Sequence, residues 1–177
     1  MLQLSQAILN RPVMSLRTGG QVATTTGAII NPNNLKIEGL YCQDAFNKKQ
    51  RLILLYQDIR DVIAQGVVVN DHDVLTDPDE LIRLKDILAI NFELKGKPVF
   101  TDSKEKLGKV NDYATETTTM FIQKLYISQS IIKNFSGGGL SVDRSQIIEV
   151  TNRKIVVQDP LQPERMTAPA TSTIPAA

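Results

Sequence analysis

His72 is the only histidine in the 177 residues, and it stands between carboxylates in Asn70-Asp71-His72-Asp73. Such a trio holds the group types that bind zinc or move a proton near neutral pH. The spacing argues against both uses. Adjacent side chains in an extended segment point to opposite sides, so the three do not converge, and the expectation is an exposed turn after a strand. Asp71, Asp73, Asp77, Asp79 and Glu80 form an acidic run. A calcium loop needs alternating oxygen ligands, a turn glycine and a closing Glu. Val74-Leu75 and Pro78 interrupt that pattern and no glycine falls within it, so a solvated helix cap is the better account. Ser136-Gly137-Gly138-Gly139 matches a phosphate loop only in its glycines. Leu140-Ser141-Val142 follows, where that loop needs Lys and then Ser or Thr opening a helix, so a flexible link is expected. Cys42 could act as a nucleophile only if the fold brought it to His72. A half-buried thiol at the end of a strand is the simpler reading. Lys95, Lys97, Lys104, Lys106 and Lys109 are the densest basic stretch and the candidate interaction residues. Lysines grip phosphates without reading sequence. Asp102 and Glu105 dilute the stretch and only Phe100 interleaves it, so a solvated face is preferred to a nucleic-acid or acidic-partner surface. No set of residues here calls for a catalytic role, a metal or a cofactor.

Bulk composition narrows the class without naming an activity. Twenty basic and 19 acidic side chains leave a net charge of +1, so no strong nucleic-acid or membrane field is expected. A single cysteine rules out an intrachain disulfide, which suits a reducing, cytoplasmic setting. No apolar stretch approaches the ~20 residues of a membrane helix, and the first residues lack the pattern of a signal peptide.

The elements that would position these residues are short strands. Val22 to Ile30 is rich in β-branched residues, which suit a pleated surface. Asn31-Pro32-Asn33-Asn34 predicts a type I turn, and Lys36 to Cys42 is the return strand. Asp44 to Arg51, carrying Lys48, Lys49 and Arg51, reads as an exposed loop. Leu52–Tyr56, Asp58–Ile63 and Gly66–Asn70 read as further strands. Leu107–Thr115 and Thr119–Gln129 predict a second hairpin around Glu116-Thr117-Thr118, whose weak turn signal leaves the register open. A helical turn is expected over 130–134, and closing strands over Ile147–Val150 and Ile155–Val157. Between the two strand sets, Asp77-Pro78-Asp79-Glu80 predicts a helix start, and Leu81, Leu84 and Leu88 a stripe that would clamp the two sets together. A shorter turn is expected over Ser5–Leu9. The proline-rich segment 161–177 has no aromatic residue and is expected to stay disordered.

The two strand sets say nearly the same thing. Arg11-Pro12-Val13 returns as Lys97-Pro98-Val99, displaced by 86 residues, and Gly20-Gln21-Val22 as Gly108-Lys109-Val110, displaced by 88. Ile37-Glu38-Gly39-Leu40-Tyr41 returns as Ile122-Gln123-Lys124-Leu125-Tyr126 at 85. Asp58 to Val62 returns as Gln146 to Val150, and Gly66 to Asp71 as Lys154 to Asp159, both at 88. Five blocks that keep both order and spacing point to two copies of one small unit. The expected organisation is unit one over 1–76, a linker helix over 77–90, unit two over 91–160 and the tail.

The blocks together resemble the PRC-barrel family: a Pro-Val strand, Gly-x-Val opening a hairpin, Ile-x-x-Leu on its return, an Ile-containing closing strand and an apolar strand ending in Asp. The resemblance implies a mainly β fold of two tandem small β-barrels used for docking, and it brings no catalytic residues. The function expected is a non-catalytic adaptor that docks a protein partner through barrel edges and loops, with homodimerisation through those edges as an extension. The alternative is an RNA-processing or ribosome-associated factor. A small-ligand carrier using a cleft between the barrels ranks third and an enzyme last. No membrane insertion is expected.

Overall fold

The computed structural model describes residues 1–128 and 139–159. The expected helical turn over 130–134, most of the glycine link and the tail over 161–177 lie outside the described residues.

The chain is mainly β and forms two seven-stranded sheets. β1 (Leu2–Leu4) belongs to the second sheet. β2 (Pro12–Ser15), β3 (Gln21–Asn31), β4 (Lys36–Asp44), β5 (Arg51–Leu55), β6 (Ile59–Ile63), β7 (Gly66–Val69) and β8 (Leu75–Thr76) form the first, in the order β6-β7-β2-β3-β4-β5-β8. β9 (Pro98–Thr101), β10 (Lys106–Glu116), β11 (Ile122–Ser128), β12 (Leu140–Asp143), β13 (Ile147–Val150) and β14 (Ile155–Val157) form the second, in the order β13-β14-β9-β10-β11-β12, with β1 added to β10. Apart from β1 and β8, one order describes both sheets. Each holds one parallel pair, β2 with β7 and β9 with β14.

The correspondence extends to single residues. β3 and β10 are both 11 residues long and begin 85 residues apart. Thr25↔Cys42, Gly27↔Tyr41, Ala28↔Leu40 and Ile30↔Ile37 in the first hairpin become Val110↔Ile127, Asp112↔Tyr126, Tyr113↔Leu125 and Thr115↔Ile122 in the second. Both register shifts recur at the same places, between Thr25 and Gly27 and between Val110 and Asp112, then one pair nearer the tip. β5 to β7 map onto β12 to β14 at 88. The strand pairing corrects the matching of Gly20 with Gly108. Val13 faces Ala23, whereas Val99 faces Gly108. Gly108 therefore stands where Ala23 stands, and Gly20 lies in the turn before β3.

The hairpin tips close through a wider bond than that of a single β-turn. The Leu35 N–H donates to the Asn31 carbonyl at 2.8 Å, one residue beyond the i to i+3 bond of a turn over 31–34. The second hairpin closes identically, Met120 N–H to Glu116 carbonyl at 2.7 Å, so its return strand starts at Ile122 and not at Thr119. Asn31 Oδ1 accepts from the Asn33 N–H and Glu116 Oε1 from the Thr118 N–H, so a carboxylate replaces the asparagine that made the first turn recognisable. Leu35 and Met120 are buried and both adopt left-handed backbone, at φ 50° and 59°. That conformation costs a non-glycine residue roughly 1–2 kcal/mol. It is offset where the tips meet: the Ile37 N–H donates to the Met120 carbonyl at 2.8 Å, and the Ile122 N–H to the Leu35 carbonyl at 2.9 Å. The two sheets exchange a reciprocal pair of backbone hydrogen bonds across a Lys36↔Phe121 bridge. Leu35, Ile37, Leu40, Met120, Ile122 and Leu125 belong to one continuous apolar core beneath it.

The linker is not the single helix expected over 77–90. Asp77 does cap, accepting from the Asp79 N–H at 2.9 Å with Pro78 in the first turn. Two short 3-10 turns follow, Pro78–Glu80 and Ile82–Leu84, broken by non-helical Leu81 at φ −89° and ψ 67°. Only α1 (Lys85–Ile90) is α-helical; it packs on β3, and Leu81, Leu84 and Leu88 are half-buried, so the clamping stripe does not form. The halves are joined instead through the hairpin tips and β1, whose Gln3 and Leu4 pair with Thr115 and Ala114 of β10.

Candidate functional sites

His72 opens a 3-10 turn after β7 and is half-buried. Its Nε2 lies 3.1 Å from Asp44 Oδ1, and its ring meets Phe46 edge-on at 5.3 Å between centroids. Asp44 was expected in an exposed loop. It is instead the buried last residue of β4, placed inward by strand alternation. Burial pushes its carboxyl upward, but the Phe46 N–H, the His72 ring and the Asn47 N–H outweigh that and hold it below the usual range. Asp71 points elsewhere: it accepts from the Ser15 hydroxyl at 2.9 Å and pairs with Arg17 at 2.9 Å. The His72 N–H, the Ser15 hydroxyl and Arg17 lower its carboxyl in turn. The fold therefore spreads the sequence trio over two structural contacts that pin the turn after β7 to β4 and to β2. Among the described residues, no three His, Cys, Asp or Glu side chains are placed to hold a metal ion.

Cys42 is fully buried within β4 and not half-buried at a strand end. Burial pushes its thiol up to about 12, and the Sγ donates to the Leu40 carbonyl at 3.6 Å. A thiol held protonated and shielded is a core hydrophobe.

Two of the five candidate lysines are engaged within the fold. Lys95 pairs with Asp112 at 3.2 Å, and Lys97 donates to the Asn152 carbonyl at 2.7 Å while lying 4.6 Å from the centre of the Phe92 ring. Both hold the fold together. Lys104 occupies a left-handed turn position, φ 69°, where the first half places Gly19, also at φ 69°. Lys106 and Lys109 are exposed on β10.

Three features were not found by sequence reasoning. Asp112 of β10 joins the Ser5 hydroxyl at 2.5 Å and Lys95 at 3.2 Å; burial raises its carboxyl, but Ser5, the Tyr113 N–H and Lys95 bring it below the usual range. Arg144 reaches across the halves, donating to the Asn34 carbonyl at 2.6 Å with its guanidinium 4.8 Å from the centre of the Phe121 ring. Neither could be found from local spacing, since the partners lie 107 and 110 residues away. The third is a cleft of about 620 Å3 that gathers Lys48, Lys49 and Arg51 beside Tyr41. The basic loop was legible, but the wall opposite it was not.

Among the described residues, β6 pairs only with β7 and β13 only with β14. β6 carries exposed Arg60 and Asp61, with Arg60 donating to Asn70 Oδ1 at 2.9 Å. At the matching places β13 carries Ile148, 54% exposed, and Glu149. Ile148 is the extra residue of a bulge, so it stands off the ladder. No helix of the described residues is long and apolar enough to cross a membrane. No protein-family model matches the chain, and no curated protein matches it.

Proposed function

We propose that the protein is a non-catalytic interaction module that docks a protein partner along the outer edge of β13. The observation that carries this reading is Ile148, an exposed apolar side chain on an outermost strand. Edge strands are ordinarily blunted by charge, and β13 carries Ile148, the more exposed of the two edges' apolar side chains, where β6 carries Arg60. A partner strand or loop can take the open backbone groups of β13 and cover Ile148, as in strand addition generally. The engaged or buried state of His72 and Cys42 supports a docking role over a chemical one. The likeness to PRC-barrels, closure of each sheet into a small barrel, the division into two units and a cytoplasmic setting belong to the same proposal. The RNA reading is the weaker one, because Lys95 and Lys97 are already engaged within the fold.

An affinity capture from source-cell lysate tests this, comparing the natural chain with Ile148→Arg, which copies Arg60 of β6. The expected outcome is a protein partner retained by the natural chain, insensitive to nuclease and lost with Ile148→Arg. A partner kept by Ile148→Arg, or released by nuclease, contradicts it.

A further inference from the structure

The cleft at the β4–β5 loop sits apart from the β13 edge and has a chemistry of its own. Lys48, Lys49 and Arg51 line it, together with Tyr41, Gly27 and Asn91, and no carboxylate lines it. Among the described residues none of these three cations has an ion-pair partner, whereas Arg17, Lys95 and Lys124 each have one. Asp44, the nearest acid in the chain, is turned inward onto His72. The loop that carries the cations is ordered by its own hydrogen bonds. Gln43 Nε2 donates to the Lys48 carbonyl at 2.9 Å, the Lys49 N–H to Asn47 Oδ1 at 3.2 Å, and the Gln50 N–H to the Asn47 carbonyl at 2.8 Å. Part of the ordering cost of binding is therefore already met. Tyr41 gives the cleft an aromatic face: its ring lies across Gly27, where a Cβ would stand 3.4 Å from it. At the matching place in the second half, Asp112 stands where Gly27 does and binds Ser5 and Lys95.

We propose that this cleft binds a phosphate-bearing small anion of two or more negative charges, held by Lys48, Lys49 and Arg51 with its organic part against Tyr41. Guanidinium and ammonium groups together match several phosphate oxygens, and the volume falls within the range of small-molecule sites.

Calorimetric titration of the full chain at low salt, with inorganic tripolyphosphate and with ATP as probes, tests this. Both are expected to bind at one site. Lys48→Ala/Lys49→Ala is expected to weaken binding by at least about tenfold, the loss of one or two charge-assisted hydrogen bonds. Lys106→Ala/Lys109→Ala, a surface control outside the cleft, should change it by less than about twofold. Circular dichroism of both variants checks that they stay folded. Absence of binding by both probes overturns the proposal, as does equal weakening by the two double variants. A single-stranded oligonucleotide that binds through these residues where tripolyphosphate does not would overturn it in favour of a nucleic-acid surface.

Discussion

The two hairpins share a backbone register and differ at several matched surface positions. Lys36 in the first hairpin lies 3.5 Å from the centre of the Tyr56 ring, on the turn after β5. The matching positions in the second half are Phe121 and Arg144, so the aromatic ring sits on the hairpin and the cation on the turn. Gly27 opens a cleft where Asp112 ties down Ser5 and Lys95. Arg60 on β6 is matched by Ile148 on β13. What the halves keep is the buried set, Val13 with Val99, Ile37 with Ile122 and Leu40 with Leu125, all fully buried. Burial fixes strand register because a one-residue slip would turn the whole apolar set to solvent. Surface positions answer to no such constraint and can exchange charge for ring or cavity for carboxylate.

The largest expected break in this symmetry is at Gly108. Its φ of 152° and the Ser128 carbonyl beside it leave no room for a Cβ. Gly108→Ala should cost more than about 4 kcal/mol, while Ala23→Gly at the matching place should cost about 1 kcal/mol. Urea unfolding of the two variants measures both; similar losses would mean the matching of these positions is wrong. Leu40→Ala and Leu125→Ala come next, each expected to lose about 2–5 kcal/mol and to agree closely, since the two share burial and register.

Acid stability separates the halves more gently. Asp44 and Asp112 are both held below the ordinary carboxylate range in the folded chain. Each therefore stabilises the fold fully above about pH 4, and that contribution disappears as pH falls through its lower folded value. Asp44→Asn and Asp112→Asn should each melt below the natural chain at neutral pH and converge with it in acid. A gap that widens on acidification would show that the sign is wrong. The smallest effect is expected at the paired left-handed turns. Lys104→Gly should stabilise by less than about 1 kcal/mol through relief of strain, and Gly19→Lys should destabilise by about the same amount.

The closing strands were legible because Val67-Val68-Val69 and Ile155-Val156-Val157 are apolar β-branched runs on fully paired strands. The second hairpin's register was not, because its turn is closed by the backbone and the Glu116 carboxylate, without the Asn-Pro of the first. The Gly-x-Val matching misled because Gly20 serves a turn and Gly108 a crowded bulge. Leu81, Leu84 and Leu88 have helical spacing, yet the backbone at Leu81 breaks the segment. Asp44 could not be assigned from its own loop, since His72, its partner, is 28 residues away.

The reciprocal bridge between hairpin tips is the contact on which the paired architecture rests, and native-state hydrogen exchange reads it directly. The Ile37 and Ile122 amides donate across the halves to Met120 and Leu35. They should be strongly protected, exchange at closely similar rates, and lose protection together in Leu40→Ala and in Leu125→Ala. One slow amide beside one fast one, or a loss confined to the mutated half, would contradict the interlocked pair.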